Sequence, residues 1–105
     1  MMRFKKCKVY FRTSQGIEKT NGYYLEHYPD IIAHRFLPIF KTRWVLTDRE
    51  SGLLISNGLY TRLTDAFLAI TPAFVSTIQN LKEKRKDFVN ESIEELRKYK
   101  ESELK

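Results

Sequence analysis

Lys6, Lys8, Tyr10 and Arg12 stand two residues apart, and this spacing carries the clearest chemical signal in the chain. Side chains of an extended segment alternate between its two faces, so these four share one face while Cys7, Val9 and Phe11 share the other. Cations at every second position with a phenol among them suit a nucleic-acid strand: ammonium and guanidinium groups hold phosphates, and a ring stacks on a base. The first seventeen residues contain five basic residues and no acidic one. Nine of the fourteen aromatic residues fall by Trp44, more than one small core needs, so several should reach the surface. Tyr23, Arg35 and Arg43 complete the expected set, with Lys6, Lys8, Arg12, Arg35 and Arg43 on phosphates and Tyr10 and Tyr23 on bases. A plainer account competes residue by residue: tyrosine favours strands, and lysine guards a sheet edge against aggregation. No helix-turn-helix pattern is present, which favours single-stranded RNA or DNA over duplex DNA, with RNA first.

Other chemistries lack their residues. One cysteine and two histidines, His27 and His34, do not make a zinc site at any recognised spacing, and both histidines read as partly exposed. No Gly-x-Ser-x-Gly occurs, and Cys7 is assigned to the apolar face as a small hydrophobe, away from nucleophilic chemistry. The four glycines, Gly16, Gly22, Gly52 and Gly58, are isolated, with no phosphate-binding loop among them. Asp48 with Glu50 and Glu94 with Glu95 read as solvated charge. The chain is therefore expected to be no enzyme and to need neither cofactor nor metal.

Strands must position the basic and aromatic residues. Residues 3 to 12 read as the first. Asn21-Gly22, between residues 17 to 20 and 23 to 26, predicts a type I′ hairpin turn, because both residues tolerate positive φ. Pro29-Asp30 marks a corner, Ile31 to Phe36 a further strand, and Pro38 its end or a sheet edge. Thr42 to Asp48 and Leu53 to Ser56 form a second hairpin around the turn Asp48–Gly52, and Asn57-Gly58 closes the β-rich part. From Thr61 the apolar period becomes helical, with Leu63, Phe67, Ile70 and Phe74 in step and Thr61 or Thr64 as cap. Thr71-Pro72 predicts an N-cap followed by a first-turn proline, opening a helix that reaches about residue 100. Such a helix is roughly 40 Å long at 1.5 Å per residue, so part of it must stand in solvent, fold back or pack on a second chain. The expected fold is α+β: five to six antiparallel strands, curled or barrel-like, then C-terminal helices. Residues 1–60 form the β-rich part and 61–105 the helical part of a single domain.

The 105 residues carry a net charge of +6, almost all of it before residue 82. A basic surface favours phosphate or anionic lipid, and the absence of a basic amphipathic helix argues against lipid. The basic start has no apolar stretch behind it, as a signal peptide would, and no run approaches the roughly 20 apolar residues of a membrane span. A lone cysteine suits a reducing compartment, so a cytoplasmic protein is expected. The rival functional reading uses Phe88, Val89, Ile93 and Leu96 as a seam for a homodimer or a protein partner, as in an adaptor or inhibitor from a mobile element. The irregular spacing of these residues favours a helix packed on its own sheet.

The segments Trp44-Val45-Leu46-Thr47-Asp48 and Ser51-Gly52-Leu53-Leu54-Ile55, in a short basic β-rich unit followed by a charged helix, carry one family resemblance. In size and style across the whole chain the protein resembles small proteins of conjugative plasmids and phages of Gram-positive bacteria, in particular the PrgU-type regulators of enterococcal pheromone-responsive plasmids. The resemblance implies a PUA-like, RNA-binding-like fold and an RNA-level regulator that limits production of a cell-surface conjugation protein. No residue role carries over with it.

Overall fold

A computed structural model describes residues 3–36, 40–56 and 58–104. Its elements run β1 (Phe4–Thr13), β2 (Gly16–Leu25), β3 (Ile31–Phe36), β4 (Phe40–Asp48), α1 (Leu63–Leu68), α2 (Pro72–Lys84) and α3 (Lys86–Glu103). The fold is α+β, an antiparallel sheet in the order β1-β2-β3-β4 followed by helices. Among the described residues the sheet has four strands, not five to six, and it is open, with β1 and β4 at its edges. Pro38 and Asn57 lie outside the described residues.

The first hairpin turns earlier than Asn21-Gly22. Thr13 pairs with Gly16, and β2 runs straight through Asn21 and Gly22, which face Lys8 and Cys7 of β1. The turn is built by Thr13, whose hydroxyl accepts from the Gln15 N–H at 3.1 Å and donates to the Gly16 carbonyl at 2.9 Å. Gly16 takes a φ of +120°, a conformation that residues with a Cβ avoid. Gly22 serves packing instead. A Cβ there would lie 2.7 Å from Ile32 Cγ2, 2.9 Å from the Ala33 carbonyl and 3.3 Å from His34 Cβ. The missing side chain lets β2 press onto β3, where the pairing is confined to Gly22 with His34 and Tyr23 with Ala33.

The segment after β4 hydrogen-bonds that strand without becoming a fifth one. Leu54 and Tyr60 form single bridges to Thr47 and Trp44, and the N–H groups of Ile55 and Ser56 both donate to the Leu46 carbonyl. Two residues opposite one acceptor break the ladder, yet the β4 edge is covered. The Asp48–Gly52 turn is held by the Asp48 carboxylate, which accepts from the Ser51 N–H and hydroxyl and pairs with Lys82 of α2 at 3.2 Å. Leu53 and Gly52 then reach neighbouring strands: the Asp48 N–H donates to Leu53 O, and the Arg12 N–H of β1 to Gly52 O at 2.8 Å.

Thr71 caps α2 through the Phe74 N–H with Pro72 in the first turn, matching the sequence pattern. α1 begins after Arg62, an N-cap with no side-chain hydrogen bond; Thr61 lies one residue before it and its hydroxyl accepts from Arg43 at 2.6 Å. The long helix breaks at Arg85 (φ −112°, ψ 37°) inside the all-polar run 82–87, and the break lets α3 fold back. α3 buries Val89, Ser92 and Leu96. The Ser92 hydroxyl donates to the Ser51 carbonyl, and Leu96 packs on Gly52, so the seam expected for a partner is largely occupied by the chain's own fold. Phe88 stays half exposed.

His34 corrects another expectation. It is fully buried, with Phe11 packed on its ring at 4.4 Å between centroids, while His27 is exposed in the turn before β3. Its Nδ1 faces the Arg35 carbonyl at 3.0 Å, so that nitrogen carries the proton, and Nε2 accepts from the Thr47 hydroxyl at 2.6 Å. Burial disfavours the charged ring and lowers its pKa from 6.5 to about 4.

Two outcomes follow from this packing. Gly22→Ala should lower unfolding free energy by about 2 kcal/mol, since two of the three close atoms belong to backbone or a packed β-branched side chain; urea titration checks it. As pH falls below 6.5, unfolded chains take up the His34 proton before folded ones, so stability should drop progressively until pH reaches about 4. The loss at the lower limit is about 3 kcal/mol, read as the difference in pH slope between wild type and His34→Gln.

Candidate nucleic-acid interface

Directly opposed residues of an antiparallel sheet share a face, so Lys6, Tyr23, Ala33 and Leu46 form one row across all four strands. The cationic face of β1 is therefore the same face on which the helices pack. Ala33 and Leu46 lie beneath Ala66, Phe67 and Ile70, in and just after α1. The β1 face is consequently divided, and its two ends meet different surroundings.

At the far end α3 lies over the strand. Arg12 pairs with Glu95 at 2.7 Å and donates to the Ser92 hydroxyl at 3.2 Å. Tyr10 is half buried, edge-on to Tyr99 at 6.0 Å, with the Lys100 ammonium 5.0 Å from its ring centre. Lys19, across from Tyr10, pairs with Glu103, which lowers the pKa of that carboxyl. Tyr10 is thus no open stacking platform, and Arg12 already holds a carboxylate. α3 supplies both substitutions.

At the near end the surface is open. Beyond Gly22, β2 parts from β3, and the gap is a cavity of about 710 Å³ lined by Phe4, Lys6, Thr20, Asn21, Tyr23, Arg35, Trp44 and Leu63. Its rings hold each other: Tyr23 lies 5.7 Å from Phe4 and 6.0 Å from Trp44, and the Arg35 guanidinium sits over Trp44 at 5.4 Å. Lys6, Asn21, Arg35 and Phe4 are exposed, and Tyr23 and Trp44 half buried. No acidic residue lines the notch. Among the described residues Lys6, Lys8 and Arg35 have no carboxylate at ion-pair distance, in contrast to Arg12, Lys19 and Lys82.

The structure thus brings together Lys6, Tyr23 and Arg35 of the expected set and leaves Lys8 exposed on the same strand face. Arg43 is exposed but bound to Thr61, and alternation along β4 turns it away from Trp44. The chain matches no family model, no curated protein and no solved structure. Phe4, Asn21 and Trp44 are the notch residues that sequence reasoning missed. The aromatic excess contained the signal for Phe4 and Trp44, while Asn21 was assigned to a turn. Cys7, half buried on the opposite face, has its thiol pKa raised by burial, which disfavours the reactive thiolate. No three His, Cys, Asp or Glu side chains cluster as a metal site among the described residues, and no helix there is long and apolar enough to cross a membrane.

The division of the β1 face predicts a separation of effects. Arg12→Gln should cost stability, about 1 kcal/mol through loss of the Glu95 and Ser92 contacts, and leave retention on immobilised single-stranded RNA unchanged. Lys6→Gln should do the reverse, which parallel thermal melts and binding assays would establish.

Proposed function

We propose that the chain is a non-enzymatic binder of single-stranded nucleic acid, RNA in preference to DNA, acting in regulation through the notch between β2 and β3. The observation that carries this reading is the co-location of cations that lack a carboxylate partner among the described residues with accessible rings, Lys6 and Arg35 beside Phe4, Tyr23 and Trp44, around a concavity without an acidic residue. Tyr23 and Trp44 are the stacking groups, Lys6, Lys8 and Arg35 the phosphate contacts, and Asn21 a donor and acceptor for a base edge. A notch of this volume takes one or two nucleotides, with the strand continuing along Lys8. Neither a nucleophile–base pair nor a phosphate loop competes for the site. The resemblance to PrgU-type regulators points the same way, to control at the level of RNA in the cytoplasm, with a PUA-like barrel as the finer form of the fold.

Salt dependence provides the test. Three neutralised phosphates on a single strand should give a slope of log affinity against log salt of about −2, at about −0.7 per contact. Lys6→Glu with Arg35→Glu should weaken binding of a short single-stranded RNA at least tenfold and flatten that slope. Trp44→Leu should lose about 1 to 3 kcal/mol of affinity and keep the slope, the signature of a lost stacking surface. Retention of RNA binding by the double variant would overturn the assignment.

A further inference from the structure

A second concavity lies on another side of the molecule, between the segment after β4, α2 and the start of α3. It measures about 570 Å³, and its apolar surface includes Leu54, Leu81 and Phe88. These three are 49%, 49% and 52% exposed, so three of the large apolar side chains most open to water gather around one groove. In a chain that buries Val89, Leu96 and Ile78 within a few residues of them, this exposure is not for want of a core.

The charged members of the groove are cations. Arg12, Lys82 and Arg85 line it, and no acidic residue does. Arg12 and Lys82 hold Glu95 and Asp48, so the available charge comes from Arg85, which has no carboxylate at ion-pair distance among the described residues. Lys84 and Lys86 flank it, both exposed. α3 starts at this rim with no side-chain cap, and its first turn carries Asp87, whose charge already complements the positive helix end. Glu83 and Asp87, adjacent in sequence, lie outside the lining.

We infer that this groove docks an acidic amphipathic helix of a partner protein, its apolar stripe on Leu54, Leu81 and Phe88 and its carboxylates at Arg85 and the flanking Lys84 and Lys86. Charge selects this occupant. A second copy of the chain would bring a net charge of +6 to a basic rim, and a nucleic-acid strand would meet a single ring, Phe88, on an otherwise aliphatic floor. The site is independent of the notch, which shares no lining residue with it.

The probe is a fluorescent helix-forming peptide of about 18 residues with leucine and phenylalanine in three-four spacing and glutamate elsewhere, beside a lysine version of the same pattern. Anisotropy should show the glutamate peptide binding the intact protein at least tenfold more tightly than the lysine peptide. Phe88→Ser and Arg85→Glu, both at exposed positions, should each weaken it about tenfold, and Lys6→Glu should leave it unchanged. Circular dichroism of each variant verifies the fold. Equal binding of the two peptides, insensitivity to Phe88→Ser and Arg85→Glu, or loss on Lys6→Glu would overturn the assignment. So would concentration-dependent dimerisation abolished by Phe88→Ser, or displacement of the peptide by RNA in the Lys6→Glu protein.

Discussion

The close approach of β2 to β3 at Gly22 governs most of the remaining architecture. With no Cβ in the way, Ile32 and His34 reach across the strand, His34 becomes fully buried, and Phe11 of β1 packs on its ring. Phe11 of β1 and His34 of β3 belong to strands two places apart, and their rings meet at 4.4 Å between centroids on the face where Gly22 has no side chain. Val9, Phe11 and Ile32 are buried together on that face, with Cys7 and Tyr24 packed against them. The β2–β3 pairing is concentrated at two positions, and the notch opens where the pairing stops.

The helices then decide which part of the cationic strand remains available. α1 covers the centre of the face through Ala66 and Phe67, and α3 places Glu95 and Glu103 against Arg12 and Lys19. Exposed pairs of this kind contribute little each, and what fixes α3 is the burial of Val89 and Leu96 with the Ser92 to Ser51 hydrogen bond. Once docked for those apolar reasons, α3 neutralises one end of the strand and leaves Lys6 and Lys8 without a carboxylate partner among the described residues. The break at Arg85 makes this possible, because a continuous helix from Pro72 would carry its second half away from the sheet.

Local patterns were legible where one element decides them: the period-two register of β1, the strand Ile31–Phe36, and the Thr71-Pro72 helix start. Asn21-Gly22 was not, because its turn propensity lost to a packing requirement that involves three strands, and Gly16 supplied the positive φ instead. The candidate site inherited that error. Lys6, Tyr23 and Arg35 could be named from alternation, but their meeting with Trp44 depends on the register Arg35–Trp44 and on Lys6–Tyr23, the second of which a turn at Asn21-Gly22 would forbid. Burial of His34 was hidden for the same reason, since its partner Thr47 is thirteen residues away on another strand. The covering of Tyr10 and Arg12 required knowing where α3 folds back, and the polar run 82–87 marked the break but not the direction.

The notch differs from an ordinary aromatic cluster in what restrains it. Tyr23 meets Phe4 edge-on and Trp44 at a tilt, and the Arg35 guanidinium carbon lies 5.4 Å from the Trp44 ring centre, with no carboxylate at ion-pair distance among the described residues. Under the proposed reading, an arginine held beside a ring would lose less freedom on meeting a phosphate than a free surface side chain. The same rings in a sealed core would gain more by excluding water, yet Phe4 is still half exposed and contacts both Tyr23 and Phe67. Under the proposed reading, that residual exposure is where an entering base would displace water from ring surface already in position.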